Sequence, residues 1–179
     1  EGQINGNFRA EGSFKAPKLS GDLNLAGNYL ELGIWAPIEN YSGHFELKEE
    51  TAFIRELRGD FVDGDFQAAG QFNLLDDDNF WDLSLTGQKL YFDYGSLEGD
   101  FDSQLSFSGP LMDPLLRGEL EIYDFTVGIP FNWPAGGEET DENAFIPAVQ
   151  LEIIPRNNVR VKSQNIDVLI ENGDLSLDF

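Results

Sequence analysis

Only one side chain of the usual acid–base type occurs in this sequence, the single histidine His44. Histidine is the residue whose charge changes near neutral pH, which makes it the commonest proton carrier in enzymes. His44 alternates with Phe45 and Leu47, which places it on the polar side of an expected strand. The chain also lacks a G-x-S-x-G segment, the turn that presents a nucleophilic serine. We therefore expect His44 to be an exposed strand residue and not a catalytic base.

Acidic residues are the other candidates for chemistry, as ligands of Ca²⁺ or as carboxylate pairs that cleave glycosides. Three aspartates are consecutive at 76–78, and three more surround Gly64, namely Asp60, Asp63 and Asp65. Neither group has the alternating acidic positions, glycine and final glutamate of a calcium-binding loop, and each is expected to lie in a turn. No carboxylate pair is singled out by its surroundings. The sequence predicts no catalytic residue, no metal site, no cofactor and no enzymatic activity.

The composition limits the class of partner. The chain has 179 residues, and its 11 Lys and Arg against 33 Asp and Glu give a net charge of −22. Such a surface repels phosphate backbones, so we expect no nucleic-acid binding. There is no cysteine, which removes disulfides and thiolate chemistry. No run of 18 apolar residues is present, so no transmembrane helix is predicted.

Alternation of apolar and polar residues dominates the chain. Phe66, Ala68, Gly70 and Phe72 form one such series, and a similar series recurs in most other segments. A period of two is typical of strands with one apolar and one polar face. Glycine and polar clusters punctuate the series, as turns do between neighbouring antiparallel strands. The sequence predicts an all-β, mainly antiparallel structure.

Two segments depart from this alternation. KEETAFIRELRG, residues 48–59, has Phe53, Ile54 and Leu57 at helical spacing, with acidic residues first and arginines last, which leaves a short helix and a strand both open. NWPAGGEETDENAF, residues 132–145, is polar and rich in glycine, and it is expected to be a mobile loop.

A repeated pattern, G-x4-P-x-L-x-G-x-L-x-[L/I], occurs at residues 12–25 and 109–122. The prolines Pro17 and Pro114 are 97 positions apart (114 − 17 = 97), and the parity of the apolar residues flips at matched places in both copies. We interpret this as a structural repeat, with a unit near 7–34 recurring near 104–131 and turns at the prolines. Gly21 and Gly118 fall on the apolar side, where a missing side chain lets a sheet bend or another body approach.

The apolar face of a single sheet is exposed to water unless a second layer or a bound partner covers it. The sheet could fold over and fill its own interior, or it could form a groove for an apolar guest. Each CH₂ removed from water contributes about 0.8 kcal/mol, so a 16-carbon chain could gain roughly 12 kcal/mol before entropy losses. The composition alone leaves both possibilities open.

Three sequence motifs, found in four segments, together resemble the TamB family, which belongs with the AsmA-like and chorein-like bridge proteins. They are the two repeat units, the stretch GDFVDGDFQAAGQFNL at 59–74 with its D-G-x-F-x-A-x-G run, and VQLEIIPRNNVRVKSQNIDVLIENGDLSL at 149–177. The resemblance covers about two-thirds of the chain, and the order of the motifs is more specific than any one of them.

This resemblance implies a curved sheet folded into a U-shaped trough, a β-taco, with an apolar inner face and a polar outside. It implies a membrane-anchored bridge protein in the periplasm of a double-membrane bacterium, with its anchor in the inner membrane. The implied work is transport of phospholipid between the inner and outer membranes, or assembly of outer-membrane proteins with a TamA-type barrel. Lipid acyl chains or unfolded outer-membrane protein would then be the partners.

We therefore expect residues 1–179 to be a single trough segment of a longer protein. The expected groove lining consists of apolar residues that recur on one parity of successive strands: Phe14, Leu23, Leu25, Phe66, Phe72, Leu83, Leu105, Phe107, Leu120, Ile122, Leu151, Ile153, Val159 and Val161. One alternative is a closed β-sandwich that binds carbohydrate through Trp35, Trp81 and Trp133 with acidic partners. Another is a secreted β-rich glycosidase.

Overall fold

The architecture is that of one open, curved β-sheet. It is seen in a computed structural model that describes residues 2–13, 16–31, 37–49, 51–73, 80–110, 113–129, 148–163, 165–170, 173 and 175–178. These residues form twelve strands and no helix. Within the same ranges, accordingly, no helix is long and apolar enough to cross a membrane. The prediction of an all-β structure is confirmed.

The strands are long, and most of them follow the alternating segments of the sequence. Their bounds are β1 Gly2–Ser13, β2 Ala16–Leu30, β3 Ile38–Glu49, β4 Thr51–Phe61, β5 Gly64–Asn73, β6 Phe80–Tyr94, β7 Leu97–Pro110, β8 Leu115–Gly128, β9 Ala148–Asn157, β10 Val159–Lys162, β11 Asp167–Ile170 and β12 Leu175–Asp178.

From β1 to β8 each strand pairs with the next one in the chain, always antiparallel, as expected for strands joined by short turns. The order changes after β8. Both β9 and β10 run parallel to β8, β9 beside its first part and β10 beside its last residues. The sheet then ends with β11 on β10 and β12 on β9, both antiparallel. The sheet is therefore mainly antiparallel with two parallel pairs.

A β-bulge explains the segment whose spacing resembled a helix. Residues 51–61 form β4, so the strand alternative is correct. Ile54 pairs with Gly70 and Leu57 pairs with Ala68, so β4 advances by three residues while β5 advances by two. The extra residue keeps Ile54 and Leu57 on one face of the sheet although they are three positions apart.

The two copies of the repeated pattern form equivalent hairpins. Gly21 lies opposite Phe8 in the hairpin of β1 and β2, and Gly118 lies opposite Leu105 in the hairpin of β7 and β8. Both members of the second pair are 97 positions after their counterparts (118 − 21 and 105 − 8). Pro17 is the second residue of β2, and Pro114 directly precedes β8, so neither proline interrupts the middle of a strand.

The glycines of the repeat are places of close approach between neighbouring strands. A Cβ atom on Gly21 would lie 2.3 Å from the carbonyl oxygen of Asn7 and 2.8 Å from Cδ1 of Phe8. On Gly118, which has a φ of +149°, it would lie 2.0 Å from the carbonyl oxygen of Gln104. The adjacent strand thus approaches each of these two glycines closely. Its backbone leaves no room for a Cβ atom at either position.

The described strands form a single layer. The substantial backbone contacts between described strands all join hydrogen-bonded neighbours of this one sheet. Among the residues whose burial the structure describes, Leu90, Phe125 and Val159 are the only buried hydrophobic ones. A closed sandwich would bury many more, because its two sheets cover each other's inner faces. The expected loop at 132–145 and the aspartates at 76–78 lie outside the described residues.

Candidate functional site

One face of the sheet carries apolar side chains from strand to strand, and we call it the apolar face. Residues paired across neighbouring strands point to the same side. One row of pairs runs from β1 to β9 and brings large residues and glycine or alanine onto this side: Ile4, Leu25, Gly43, Leu57, Ala68, Leu85, Leu105, Gly118 and Leu151. The alternation in each strand therefore adds up to one continuous surface.

The register brings together almost all the residues expected to line a groove. Leu23 pairs with Phe45, Leu83 with Phe107, and Leu120 with Ile153, each on the apolar face. The others on this face are Leu25, Phe66, Phe72, Leu105, Ile122, Leu151, Val159 and Val161. Phe14 lies outside the described residues.

Two buried members of the apolar face, Leu90 and Phe125, were missed because they flank β-bulges. Leu90 follows Gly87 at a spacing of three, and the register shifts between them where Lys89 has a φ of 51°. Phe125 follows Ile122 in the same way, with Asp124 at a φ of 48° between them. A switch of the apolar series by one position is the signal of such a bulge. In the second repeat unit the sequence shows this switch, because the apolar series passes from Ile122 to Phe125.

The apolar face is most open at β1 and most covered near the bulges of β6 and β8. Ile4 is 74% exposed and Phe8 is 65% exposed. By contrast, Leu90 is 6%, Phe125 8% and Val159 1% exposed. Between these extremes, residues of the apolar face such as Leu23, Leu83 and Leu105 are half-buried. It offers water a broad, partly accessible apolar surface.

An aromatic group occupies the part of the apolar face formed by β5, β6 and β7. The rings of Phe72 and Trp81 have centroids 5.2 Å apart, and those of Trp81 and Phe107 are 5.7 Å apart in an edge-to-face arrangement. These separations are in the favourable range for aromatic pairs. Trp81 is thus packed between two phenylalanines, while Trp35 and Trp133 lie outside the described residues.

Ser103 is a polar residue on the apolar face. It lies between Gly87 and Leu120, it is 3% exposed, and its Oγ has no hydrogen-bond partner. A buried hydroxyl without a partner costs roughly 1–3 kcal/mol, because it gives up its hydrogen bonds to water. Ser103 is therefore a local weak point of β7.

Removing this hydroxyl is expected to stabilise the sheet. We expect Ser103→Ala to raise the free energy of unfolding by about 1 kcal/mol, because alanine keeps the volume and removes the unpaired group. Urea denaturation followed by circular dichroism would measure the change. Ser106→Ala is the matched control, since the Ser106 Oγ is exposed and lies 3.4 Å from the carbonyl oxygen of Arg117. A loss of stability in Ser103→Ala would show that the hydroxyl has a favourable role.

The opposite face is polar and held by charged pairs. Glu46 accepts hydrogen bonds from Lys48 and from Arg55, and these two cations lower the pKa of its carboxyl below the ordinary value. The Arg55 guanidinium also lies 4.5 Å from the ring centroid of Phe53. The two cations are exposed and Glu46 is half-buried at the surface, so each contact contributes little stability. Their effect is to keep this face hydrated while the other stays apolar.

A second polar group lies beside the bulges of β6 and β8. The Lys89 amide donates to Oδ1 of Asp102 at 2.7 Å. Burial and a hydrogen bond to Asp102 raise the pKa of Tyr123 well above its ordinary range. Near it, Arg156 donates to Glu121 at 2.6 Å and lowers the pKa of that carboxyl. Asp102, which lies on β7, therefore links Lys89 in the bulge of β6 to Tyr123 of β8.

Two of the residues first considered for chemistry, His44 and Asp60, have structural partners. The Nδ1 atom of His44 lies 2.8 Å from Oδ1 of Asn24 on the neighbouring strand, and Asp60 accepts from Nδ2 of Asn40 at 2.8 Å. Within the ranges that the structure describes, no three His, Cys, Asp or Glu residues converge in a way that could hold a metal ion. The feature that stands out in these ranges is the apolar face.

Comparison of the chain with known protein families, with characterised proteins and with solved structures gives no match.

Proposed function

We propose that this chain is a non-enzymatic segment of a TamB-like cell-envelope protein, and that its apolar face shields lipid acyl chains or unfolded outer-membrane protein strands from water. In this proposal the apolar face is the inside of a trough. The segment works in the periplasm of a double-membrane bacterium, in a longer protein anchored in the inner membrane. Phospholipid transport between the two membranes, or outer-membrane assembly with a TamA-type barrel, is the process it serves.

The observation that carries this proposal is a continuous apolar face on a sheet that no second layer covers within the described ranges. Apolar patches larger than a few hundred Å² are rare on soluble proteins and mark interaction sites. The row of leucine, alanine and glycine that crosses the sheet from Leu25 to Leu151 supports a guest that is itself long and apolar. Since the surface offers apolar contact and few polar partners, it suits acyl chains without selecting one headgroup.

Burial energies make such a function feasible. A 16-carbon acyl chain could gain roughly 12 kcal/mol if it were fully removed from water, at about 0.8 kcal/mol per CH₂. An open sheet covers only one side of the chain, so it would supply a fraction of this value. A binding free energy of this smaller size is compatible with transport, because a lipid that is bound too tightly would not be released.

The carbohydrate-binding alternative has less support. It requires a closed sandwich, whereas the described strands lie in one layer. It also requires accessible tryptophans, and Trp81, the one tryptophan in the described ranges, is packed between Phe72 and Phe107. We therefore retain the lipid-shielding and strand-shielding proposal.

Native mass spectrometry of the purified chain, followed by lipid extraction, tests this proposal. We expect phospholipid or fatty acid to be carried through purification, or added fatty acid to be taken up. The polypeptide guest is tested separately, by diluting an unfolded outer-membrane barrel protein from urea and measuring whether the chain delays its aggregation. A clean mass with no lipid uptake, together with no effect on aggregation, would refute the proposal.

A further inference from the structure

Carboxylates of neighbouring strands lie directly opposite one another at several places in the sheet. The register contains six such pairs: Asp22 with Glu46, Glu39 with Asp60, Asp60 with Asp65, Asp93 with Glu98, Asp102 with Glu121, and Glu119 with Glu152. In the same described strands, a lysine or arginine lies opposite a carboxylate in two pairs, Glu11 with Lys18 and Lys162 with Asp167. Because like charges directly opposite one another oppose the pairing of their strands, the register contains more repulsive than attractive charged pairs.

Cations compensate two of the six pairs. Glu46 is bound by Lys48 and Arg55, as described above. Arg156 lowers the pKa of Glu121, while the charge of Asp102 acts against this lowering. The other four pairs have no ion pair with a lysine or arginine of the described residues. We call these four the uncompensated pairs: Glu39–Asp60, Asp60–Asp65, Asp93–Glu98 and Glu119–Glu152.

The electric field of one uncompensated pair is evident at a neighbouring tyrosine. Tyr91 donates a hydrogen bond to Oε1 of Glu98 at 2.9 Å. This hydrogen bond, burial, and the charges of Glu98, Asp93 and Asp100 raise the pKa of Tyr91 above its ordinary value. Three carboxylates thus oppose the ionisation of one hydroxyl, which places the Asp93–Glu98 pair in a region of negative potential.

The short distance within each pair decides how salt acts on it. Side chains directly opposite one another have Cβ atoms about 4.5–5.5 Å apart. The Debye length is about 8 Å at 0.15 M salt and about 3 Å at 1 M. Ordinary salt therefore screens these pairs only in part, and screening continues to improve up to about 1 M. The repulsion due to the overall charge of −22 acts over longer distances, so lower salt concentrations already screen it.

We propose that the folded state of this chain depends on dissolved cations around the uncompensated pairs, so that the sheet loosens at low ionic strength and tightens as salt is added. The loosening begins at these pairs, because there the facing charges resist the pairing of the backbones. This salt response belongs to the polar side of the strands, and it does not rest on the function proposed for the apolar face.

Urea denaturation of the whole chain at several NaCl concentrations, followed by circular dichroism, tests the proposal. We expect the urea midpoint to rise by about 0.5 M or more between about 0.02 M and about 1 M NaCl. The rise should continue above about 0.15 M, because the charges within each pair are close together. A midpoint that stops rising at about 0.15 M would assign the effect to the overall charge and overturn the proposal.

A triple variant removes one exposed carboxylate from each of three uncompensated pairs: Asp65→Asn, Asp93→Asn and Glu152→Gln. At about 0.02 M NaCl we expect this variant to have a higher urea midpoint than the original chain. It should also lose about half or more of the salt-dependent rise, because the facing charge is gone from each of these pairs.

The matched control removes three exposed carboxylates that face no carboxylate in the described register: Glu31→Gln, Asp82→Asn and Asp113→Asn. Both triple variants change the net charge to −19 (−22 + 3 = −19), so they differ only in the positions of the removed charges. The control should keep most of the salt-dependent rise. Equal effects of the two triple variants would show that net charge alone is responsible, contrary to the proposal.

Amide hydrogen exchange of the original chain locates the response. Added NaCl should slow exchange most beside Asp60–Asp65 and Glu119–Glu152. It should slow exchange least beside Glu11 and Lys18, because there salt screens an attraction. A uniform change along all strands would overturn the proposal.

Calcium distinguishes screening from metal binding. Among the described residues no three His, Cys, Asp or Glu side chains converge on a position that could hold a metal ion. Adding CaCl₂ at constant ionic strength should therefore not replace the effect of NaCl. If calcium at constant ionic strength raised the urea midpoint as much as about 1 M NaCl does, the carboxylates would bind a metal ion and the proposal would be wrong.

Discussion

Gly118→Ala is expected to destabilise the hairpin of β7 and β8 by about 3 kcal/mol. The added Cβ would lie 2.0 Å from the carbonyl oxygen of Gln104 and 2.9 Å from Cα of Leu105, so the neighbouring backbone would have to move. The φ of +149° adds strain, because side chains other than glycine rarely adopt it. Since β8 also holds β9 and β10, the damage would reach four strands.

Urea denaturation followed by circular dichroism would measure this effect against two controls. Gly109→Ala has an unfavourable φ of +111° but its nearest heavy atom would be 3.4 Å away, so it should cost about 1–2 kcal/mol from backbone strain alone. For Gly173→Ala, the nearest atom of the described residues would be 3.9 Å from the new Cβ, so the substitution should be close to neutral. If Gly118→Ala proved no worse than Gly109→Ala, close approach of the strands would not be the reason for the glycine.

Leu120→Arg is expected to reduce uptake of fatty acid by about tenfold or more while the sheet stays folded. Leu120 is half-buried on the apolar face between Ser103 and Ile153. A guanidinium there removes apolar contact area and brings a hydration shell that an acyl chain would have to displace. The proposed passage would be interrupted at β8, although the variant chain keeps its backbone pairing.

The matched control is Glu119→Arg, one position earlier on the exposed polar face, which should leave uptake unchanged. Native mass spectrometry with added fatty acid would measure binding, and circular dichroism would report the fold. If the Leu120→Arg chain unfolds, position 120 belongs to the structural core. Leu23→Arg then repeats the test on β2, far from the buried residues of β6, β8 and β10. Full uptake by a folded Leu120→Arg chain would contradict the proposed role of this face.

The sequence was informative about strands and about which residues share a face. Alternation around Phe66, Leu83 and Leu120 reflects side chains that point to opposite sides of a sheet, and register then places those residues together. This pattern is local, so it can be read without a structure. The repeated glycines and prolines likewise located the two equivalent hairpins.

Other features depend on contacts between distant parts of the chain. Nothing in the composition of β9 distinguishes a parallel partner of β8 from an antiparallel one, because pairing direction is set by the course of the connection. Bulges also obscured part of the pattern: the spacing of Ile54 and Leu57 left a helix and a strand both open, and Leu90 and Phe125 were not among the residues expected to line a groove. A bulge changes parity by one, and a change of parity alone also indicates a turn.

The parallel pairing of β8 with β9 has a consequence for the order in which the chain folds. Every pairing from β1 to β8 joins neighbours in sequence, so each hairpin closes a short loop and can form as soon as its second strand exists. The pair Leu115 and Ala148 instead joins residues 33 positions apart, after β8 has already been placed. Folding should therefore proceed as a zipper along the first eight strands, and docking of β9 and β10 should be the slow final phase.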